Sequence, residues 1–386
     1  MDGGDFAGIC VTAVTKTAPG QKSDRSFVVF LYRKARYNVK QKFMDIIAQQ
    51  EAKYPLMEIQ DYVKLAYQNE FGPMHLAEKE RLYDGIQREL TELTGQEGRC
   101  EREKIGNGLS RIPLGGLPHP ETDGHLIAEL MILTMKHHTG SLEGLEEKLR
   151  LIEEKEGSGA KAWLDDYRKE GCPPVSHSQN YRNRYQPHYR VIKEEFADWF
   201  SVLSEIRNLL SRKESAVVSI DGRCGSGKTS LAALIREVFD CNVFHMDDFY
   251  LPPQERKEDW QNIPAGNMNL QRFRREVLQP VKEGKSVLYR PFDCQTGCVA
   301  PPAAVPPAKL TVVEGSYSQH PVLAEEYDLK IFLTCSPDVQ KERLSAREGE
   351  GVQSFFRFWM PMEERYFAAF DIEKKSDVVV NTGLFR

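Results

Sequence analysis

Apolar residues along this chain keep two different rhythms, and the change falls just past the middle. Before it, Ile192, Phe196, Trp199, Leu203, Ile206 and Leu210 recur at steps of four, three, four, three and four. That spacing gathers them on one face of an α-helix that packs on a core. Beyond LLSRKES the rhythm shortens to the apolar runs AVVSI, NVFHM, SVLYRPF, KLTVVEG, LKIFLTC and DVVVNT, separated by helical segments. Short buried runs alternating with helices predict a doubly wound α/β unit, a mostly parallel sheet covered on both faces.

The seam between the rhythms predicts two domains, 1–210 and 211–386. The first reads as mainly helical, with helices over 41–53, 57–69, 74–93, 123–136, 141–154 and 189–210. A hairpin is expected from strands at 9–15 and 26–33. Glycine and proline punctuate RCEREKIGNGLSRIPLGGLPHPETDG so densely that loops with at most short strands are expected there. The apolar stripe is expected to pack mainly on the first domain. A cut near Ser211 should then leave a soluble, nucleotide-binding C-terminal piece.

Length supports that division, because 386 residues exceed the usual size of one domain. A net charge of −5 gives no reason to expect nucleic acid or an anionic membrane as a partner. The opening MDGGDFAGIC lacks a basic stretch leading into an apolar run, and no stretch has the roughly 20 apolar residues that span a bilayer. The eight cysteines are scattered, which suits reduced thiols and a cytoplasmic location better than a disulfide framework.

His75, His119, His125, His137, His138, His177 and His188 crowd the first domain, but their spacing matches no metal-ligand pattern. SHSQNYRNRYQPHYR interleaves tyrosines with arginines. Such a stretch can stack bases or hold phosphate, and it can equally be an ordered loop packed on the next helix.

Chemistry enters at Gly222-Arg-Cys-Gly-Ser-Gly-Lys-Thr229, a complete G-x-x-x-x-G-K-[ST] between the strand AVVSID and the helix SLAALIREVF. Gly222, Gly225, Ser226 and Gly227 allow the loop to wrap phosphate oxygens with its N–H groups, and the helix N-terminus faces the same anion. Lys228 adds a charge for the β- and γ-phosphates, and Thr229 offers a hydroxyl to magnesium. ATP with Mg2+ is therefore the expected cofactor pair.

Downstream residues narrow the reaction. The second strand ends in HMDDFY, where Asp247 can ligate magnesium or take a proton from an acceptor hydroxyl. Asp248 either shares that site or caps the next turn. KLTVVEG supplies Glu314 as a second magnesium carboxylate. Arg343 and Arg347 follow LKIFLTC, where arginines suit a mobile cover over the transferring phosphoryl group, or else a solvated helix face.

DGRCGSGKTSLA, HMDDFY, EGKSVLYRPFD, VVEGSYS, LKIFLTC with RLSARE, and SDVVVNT run in this order across the second half. Together they resemble the uridine kinase family, within the wider group that includes phosphoribulokinase and pantothenate kinase. The resemblance implies Thr229, Asp247 and Glu314 around magnesium, Asp247 as base, and lid arginines at Arg343 and Arg347. The acceptor side departs from the nucleoside enzymes. Asn269 stands nearest the Asp that holds ribose hydroxyls, and Phe292 and Gly297 stand where a Tyr and a His are found. Asp248, Tyr250, Asn269 and Phe292 are thus the expected acceptor-side residues, and uridine or cytidine is not specified. The predicted activity is ATP-dependent transfer of the γ-phosphoryl group to a hydroxyl of a small molecule, a nucleoside or another metabolite. The alternative is a nucleotide switch that slowly hydrolyses ATP to control the first domain. The sequence is compatible with a homo-oligomer.

Overall fold

The computed structural model describes residues 40–73, 79–93, 101–293 and 296–385. The expected hairpin at 9–15 and 26–33 and the start of the helix expected over 74–93 lie outside them. The chain opens with α1 (40–53), α2 (Ile59–Phe71) and α3 (Lys79–Glu92). Next come β1 (Glu103–Gly106), β2 (Leu109–Pro113) and α4 (Pro120–His137). α5 (Leu142–Glu156), α6 (Ser158–Lys169) and α7 (Gln179–Tyr185) lead into β3 (Tyr189–Lys193), α8 (Glu194–Asp198) and α9 (Phe200–Arg212). Local chemistry fixes several ends. Ser141 caps α5 by accepting from the Gly144 N–H at 2.9 Å, and α4 starts on Pro120 with Glu121 and Asp123 in its first turn.

This region is helical, but it carries a sheet that the periodicity concealed. β1, β2 and β3 form a three-stranded antiparallel sheet, with Leu109 opposite Lys193 and Pro113 opposite Tyr189. The helix expected over 189–210 therefore begins as a strand. Ile192 on β3 and Phe196 on α8 still enter one apolar cluster, so the spacing reported a shared burial across a strand-to-helix junction. The Gly- and Pro-rich segment, expected as loops with at most short strands, supplies the short strands β1 and β2 and, beyond that expectation, the first turn of α4. α6 and α7 were not anticipated at all.

The second half begins with β4 (Ala216–Gly222), α10 (Lys228–Val238) and β5 (Cys241–His245). α11 (Leu270–Phe273) runs through a π turn into α12 (Gln279–Lys282). β6 (Val287–Tyr289), β7 (Phe292–Asp293), β8 (Cys298–Val299) and β9 (Ala303–Val305) are followed by β10 (Leu310–Glu314) and β11 (Leu329–Thr334). α13 (Pro337–Glu348), α14 (Val352–Ser354), α15 (Met360–Phe370), α16 (Ile372–Lys375) and β12 (Val378–Asn381) complete it. Five strands make one parallel sheet in the order β12-β11-β4-β10-β5. SVLYRPF does not join it. Val287 to Tyr289 pair antiparallel with Val305 to Ala303 in a separate ribbon. The prolines that flank β9 in APPAAVPP lack the N–H a central strand needs, so this stretch suits only an edge.

Successive sheet residues point to opposite faces. Val218, Ile220, Val312 and Ile331 enter one cluster, while Val217, Val313 and Phe332 enter another. The first cluster continues without a break through Leu231 and Ile235 of α10 into Leu126 and Met131 of α4 and Leu203 and Ile206 of α9. His137 pairs with Glu237 at 2.9 Å, and the Arg207 guanidinium lies 4.9 Å from the Phe239 ring centre. We propose 210/211 as a boundary of architecture, and the apolar core runs across it. Each buried aliphatic or aromatic side chain bared by a cut loses about 1.5–3 kcal/mol. A fragment of residues 211–386 is therefore expected to aggregate, or to melt well below the full chain by circular dichroism. A soluble fragment melting with the full chain would show that the shared core is dispensable. Among the described residues no helix is long and apolar enough to cross a membrane.

Candidate active site

Parallel register assembles the site. Glu314 at the end of β10 lies opposite Ile220 on one side and His245 on the other. The carboxyl ends of three strands are thus level, at the edge where open α/β sheets bind ligands. β4 ends at Gly222, whose φ is 137° and where an added Cβ would meet the Leu333 carbonyl oxygen at 2.1 Å. Only glycine passes so close to β11. Gly227, with φ 96°, then turns the chain into α10, so that Lys228 opens the helix.

The Lys228 ammonium donates to the carbonyls of Gly222 at 2.6 Å and Arg223 at 3.1 Å, which holds it against the loop. Three further elements brace the loop. The Cys224 N–H donates to Glu363 at 2.9 Å, and the Ser316 hydroxyl donates to the other oxygen of that buried carboxylate at 2.5 Å. Arg223 grips Glu364 with two hydrogen bonds, at 2.6 and 3.0 Å, and donates to Thr334. Beneath the loop, fully buried Asp221 accepts from Gly222 N, Gln319 N and the Tyr366 hydroxyl. Burial pushes its carboxyl up to about 6, against the opposing effects of those donors and Lys228. None of Asp221, Ser316, Glu363 and Glu364 was anticipated. Glu363 and Glu364 sit on α15, far along the chain from the loop, and no local pattern announces them.

The Thr229 hydroxyl donates to Glu314 Oε1 at 3.2 Å. His245 Nδ1 meets the same oxygen at 2.6 Å, so a carboxylate partner makes that nitrogen the protonated one. The hydrogen bond to Glu314 is the largest influence on His245 and raises its pKa; burial opposes, and the charges of Glu314, Asp248 and Asp247 add to the rise. A histidine with a raised folded pKa contributes stability that is complete below the unfolded value of about 6.5 and is lost as pH climbs through the raised value. An NMR titration of His245 should therefore show a midpoint above 6.5, and Glu314→Gln should lower it. An unchanged midpoint in that variant would sever the pair.

Asp247 and Asp248 share a 3-10 turn, Met246–Phe249, and diverge. Asp247 is exposed and accepts from the Tyr250 hydroxyl at 2.9 Å. Asp248 turns to the Tyr289 hydroxyl at 3.2 Å, and burial raises its pKa. Asn269 accepts from the Arg272 N–H at 3.1 Å as the cap of α11. Phe292 lies edge-on to Tyr250, with ring centres 6.1 Å apart.

A cleft of ≈ 650 Å3 joins the parts. Gly225, Ser226, Gly227, Lys228 and Thr229 line it together with Asp247, Glu314, Arg343 and Arg347. Gly222, Asp248, Asn269 and Phe292 are not among its lining residues. Arg343 donates to Gly225 O at 3.3 Å and to the Thr382 hydroxyl and carbonyl at 2.9 Å each, so it is tied to the loop. Arg347 is exposed and lies 5.5 Å from the Phe355 ring centre. Tyr250, Phe355 and Trp359 give the Asp247 end an aromatic wall. Trp199 and Phe385 also line the cleft, edge to face with centres 4.8 Å apart. Trp199 comes from the α8–α9 junction of the first half, where its spacing had marked it only as core.

The model of the phosphoribulokinase/uridine kinase family matches residues 217–349. Two solved structures are similar to the chain at low identity. One is a possible uridine kinase from Bacillus stearothermophilus, at 19% identity over 47% of this chain and 100% of that one, with a TM-score of 0.37. The other is a candidate fructose transport system kinase from Silicibacter sp. TM1040, at 22% identity over 46% and 98%, with a TM-score of 0.38. The phosphate loop, Asp247, Glu314, Arg343 and Arg347 all fall within the residues, 217–349, that match the phosphoribulokinase/uridine kinase family.

Proposed function

We propose that this protein is an ATP-dependent phosphotransferase that moves the γ-phosphoryl group to a hydroxyl of a small molecule. The observation that carries the proposal is the single cleft shared by the phosphate loop, Glu314 and the exposed carboxylate of Asp247. ATP would lie with its phosphates on the loop N–H groups and Lys228, and with its base toward Trp199 and Phe385. The acceptor hydroxyl would approach from the Tyr250 side. Asp247 takes its proton as the oxygen bonds to the γ-phosphorus, and the bond to the β-phosphate oxygen breaks to leave ADP. Lys228 and Arg347 offset the negative charge on the transferring group. The aromatic wall suits an acceptor with a flat or ring-shaped body.

Thr229, Glu314 and Asp247 form a hard oxygen-donor set that fits magnesium, which would supply charge neutralisation on the phosphates. Among the described residues no three His, Cys, Asp or Glu side chains converge as a metal centre. That suits an ion carried largely by phosphate oxygens and water. The location expected for such an enzyme is the cytoplasm.

The switch reading draws on Trp199, which brings the first half to the nucleotide cleft. Measuring ATP consumption against nucleosides, sugars and vitamins, with mass spectrometry of products, separates the two. The kinase reading expects ADP release that one acceptor stimulates, with a product heavier by one phosphoryl group. A slow basal rate that no acceptor changes would sink it.

A further inference from the structure

The tyrosine- and arginine-rich segment that the kinase chemistry leaves unused lines a second cavity, of ≈ 350 Å3, in the first half. Lys64 reaches it from α2, and Arg182 and Arg190 reach it from α7 and β3. Among the described residues no Asp or Glu lines it. The Lys64 ammonium donates to the Val175 carbonyl at 3.0 Å, and Arg182 donates to the Gln179 side chain at 2.9 Å; both partners are neutral. Arg190 is paired with Glu89 at 2.6 Å.

The wall behind these cations is already satisfied. Buried Asp61 accepts from Ser178 N at 3.0 Å, from the Ser178 hydroxyl at 2.7 Å and from Glu58 N at 3.0 Å. It also holds His177 Nδ1 at 2.7 Å. His177 Nε2 lies 2.6 Å from the Tyr189 hydroxyl, and the Arg111 guanidinium stands 4.6 Å from the Tyr189 ring centre. Arg111 is itself spent on Gln50 and Gln68. Burial pushes His177 down to about 4, so it stays neutral at physiological pH and cannot charge to balance an anion. The cavity therefore keeps two cationic heads with no carboxylate partner among the described residues, in front of a wall whose own donors are already engaged. Leu82, Met131 and Val191 give the same cavity apolar lining.

We propose that this cavity binds a small phosphate-bearing metabolite, its phosphate held by Lys64 and Arg182 and its organic body against Leu82, Met131 and Val191. Two cations lining one cavity match a doubly charged tetrahedral anion better than a single carboxylate. Burial lowers Lys64 to about 8, with Arg111, Arg182 and Arg190 lowering it further and Asp61 opposing. A bound dianion would favour its charged form, so binding near pH 8 should take up a proton.

The site is independent of the phosphate loop, and the test keeps the two apart. Titration calorimetry of the full chain would use glycerol 3-phosphate, inorganic phosphate and citrate as probes, in wild type, Lys228→Ala, Lys64→Met and Arg182→Ala. Glycerol 3-phosphate is expected to bind wild type and Lys228→Ala alike, with proton uptake at pH 8. Losing a charged hydrogen bond should weaken it about tenfold or more in Lys64→Met and in Arg182→Ala, where Arg182 is exposed and its loss leaves folding intact. Binding that Lys228→Ala abolishes and the other two leave unchanged would belong to the phosphate loop and overturn the proposal. So would citrate binding without glycerol 3-phosphate binding, or no binding of any probe at millimolar concentration.

Discussion

Lys228→Ala is expected to reduce ATP turnover by about 10²–10³ or more, the scale of removing one donor aimed at developing charge. Lys228 is the first residue of α10, and its ammonium contacts two loop carbonyls and no apolar core. Alanine is an excellent helix former, so α10 should persist. The loop keeps its other braces at Glu363, Glu364 and Arg343. Lys228 also holds the Asp221 carboxyl down, so the variant should move that already raised pKa further upward. Steady-state ADP release and a thermal melt measure both halves of this expectation. Turnover at the wild-type rate would refute the assignment of the phosphate loop, whereas a collapsed melting temperature would mean that the lysine serves the fold.

Asp247→Asn is the second change with a large expected effect, a fall of about 10² or more in product formation once an acceptor is in hand. The amide keeps the shape and still accepts from the Tyr250 hydroxyl, so the turn Met246–Phe249 should stay in place. What disappears is the negative charge and the capacity to take a proton. Asp248 is poorly placed to substitute, because it is turned to Tyr289 and does not line the cleft. Nucleotide affinity without metal should change little. If excess magnesium restored near-full phosphorylation, Asp247 would act only through the ion, and the base would have to be sought elsewhere.

The parts of this site that could be read in the sequence are those whose chemistry is local. The loop glycines, Lys228 and Thr229 form one contiguous motif because a phosphate must be wrapped by one short stretch of backbone. Asp247 and Glu314 could be read because strand ends are where an α/β sheet presents side chains. The braces could not. Glu363 reaches Cys224 only because α15 returns over the loop, and Tyr366 on the same helix reaches Asp221 beneath it. Nothing in PMEERYF alone carries that information. The acceptor-side expectations rested on position along the chain; in the structure the Asn269 amide caps the N-terminus of α11, which position alone did not announce. In the first half, the helical spacing at Ile192 and Phe196 was real in burial and misleading in conformation. A strand can end where a helix begins without any break in the core.

Trp199 carries a thermodynamic consequence. It is 7% exposed, it closes the α8–α9 junction, and it meets Phe385 in the lining of the cleft. If ATP occupies that cleft as proposed, one side chain belongs to two equilibria, the packing of the junction and the binding of the base. Linked equilibria are reciprocal. Whatever factor a shift of the junction applies to nucleotide affinity, bound nucleotide applies to the junction. The first half then sets part of the nucleotide dissociation constant without touching a phosphate, and a ligand that favours one packing of α8 on α9 would reach the cleft through this single indole.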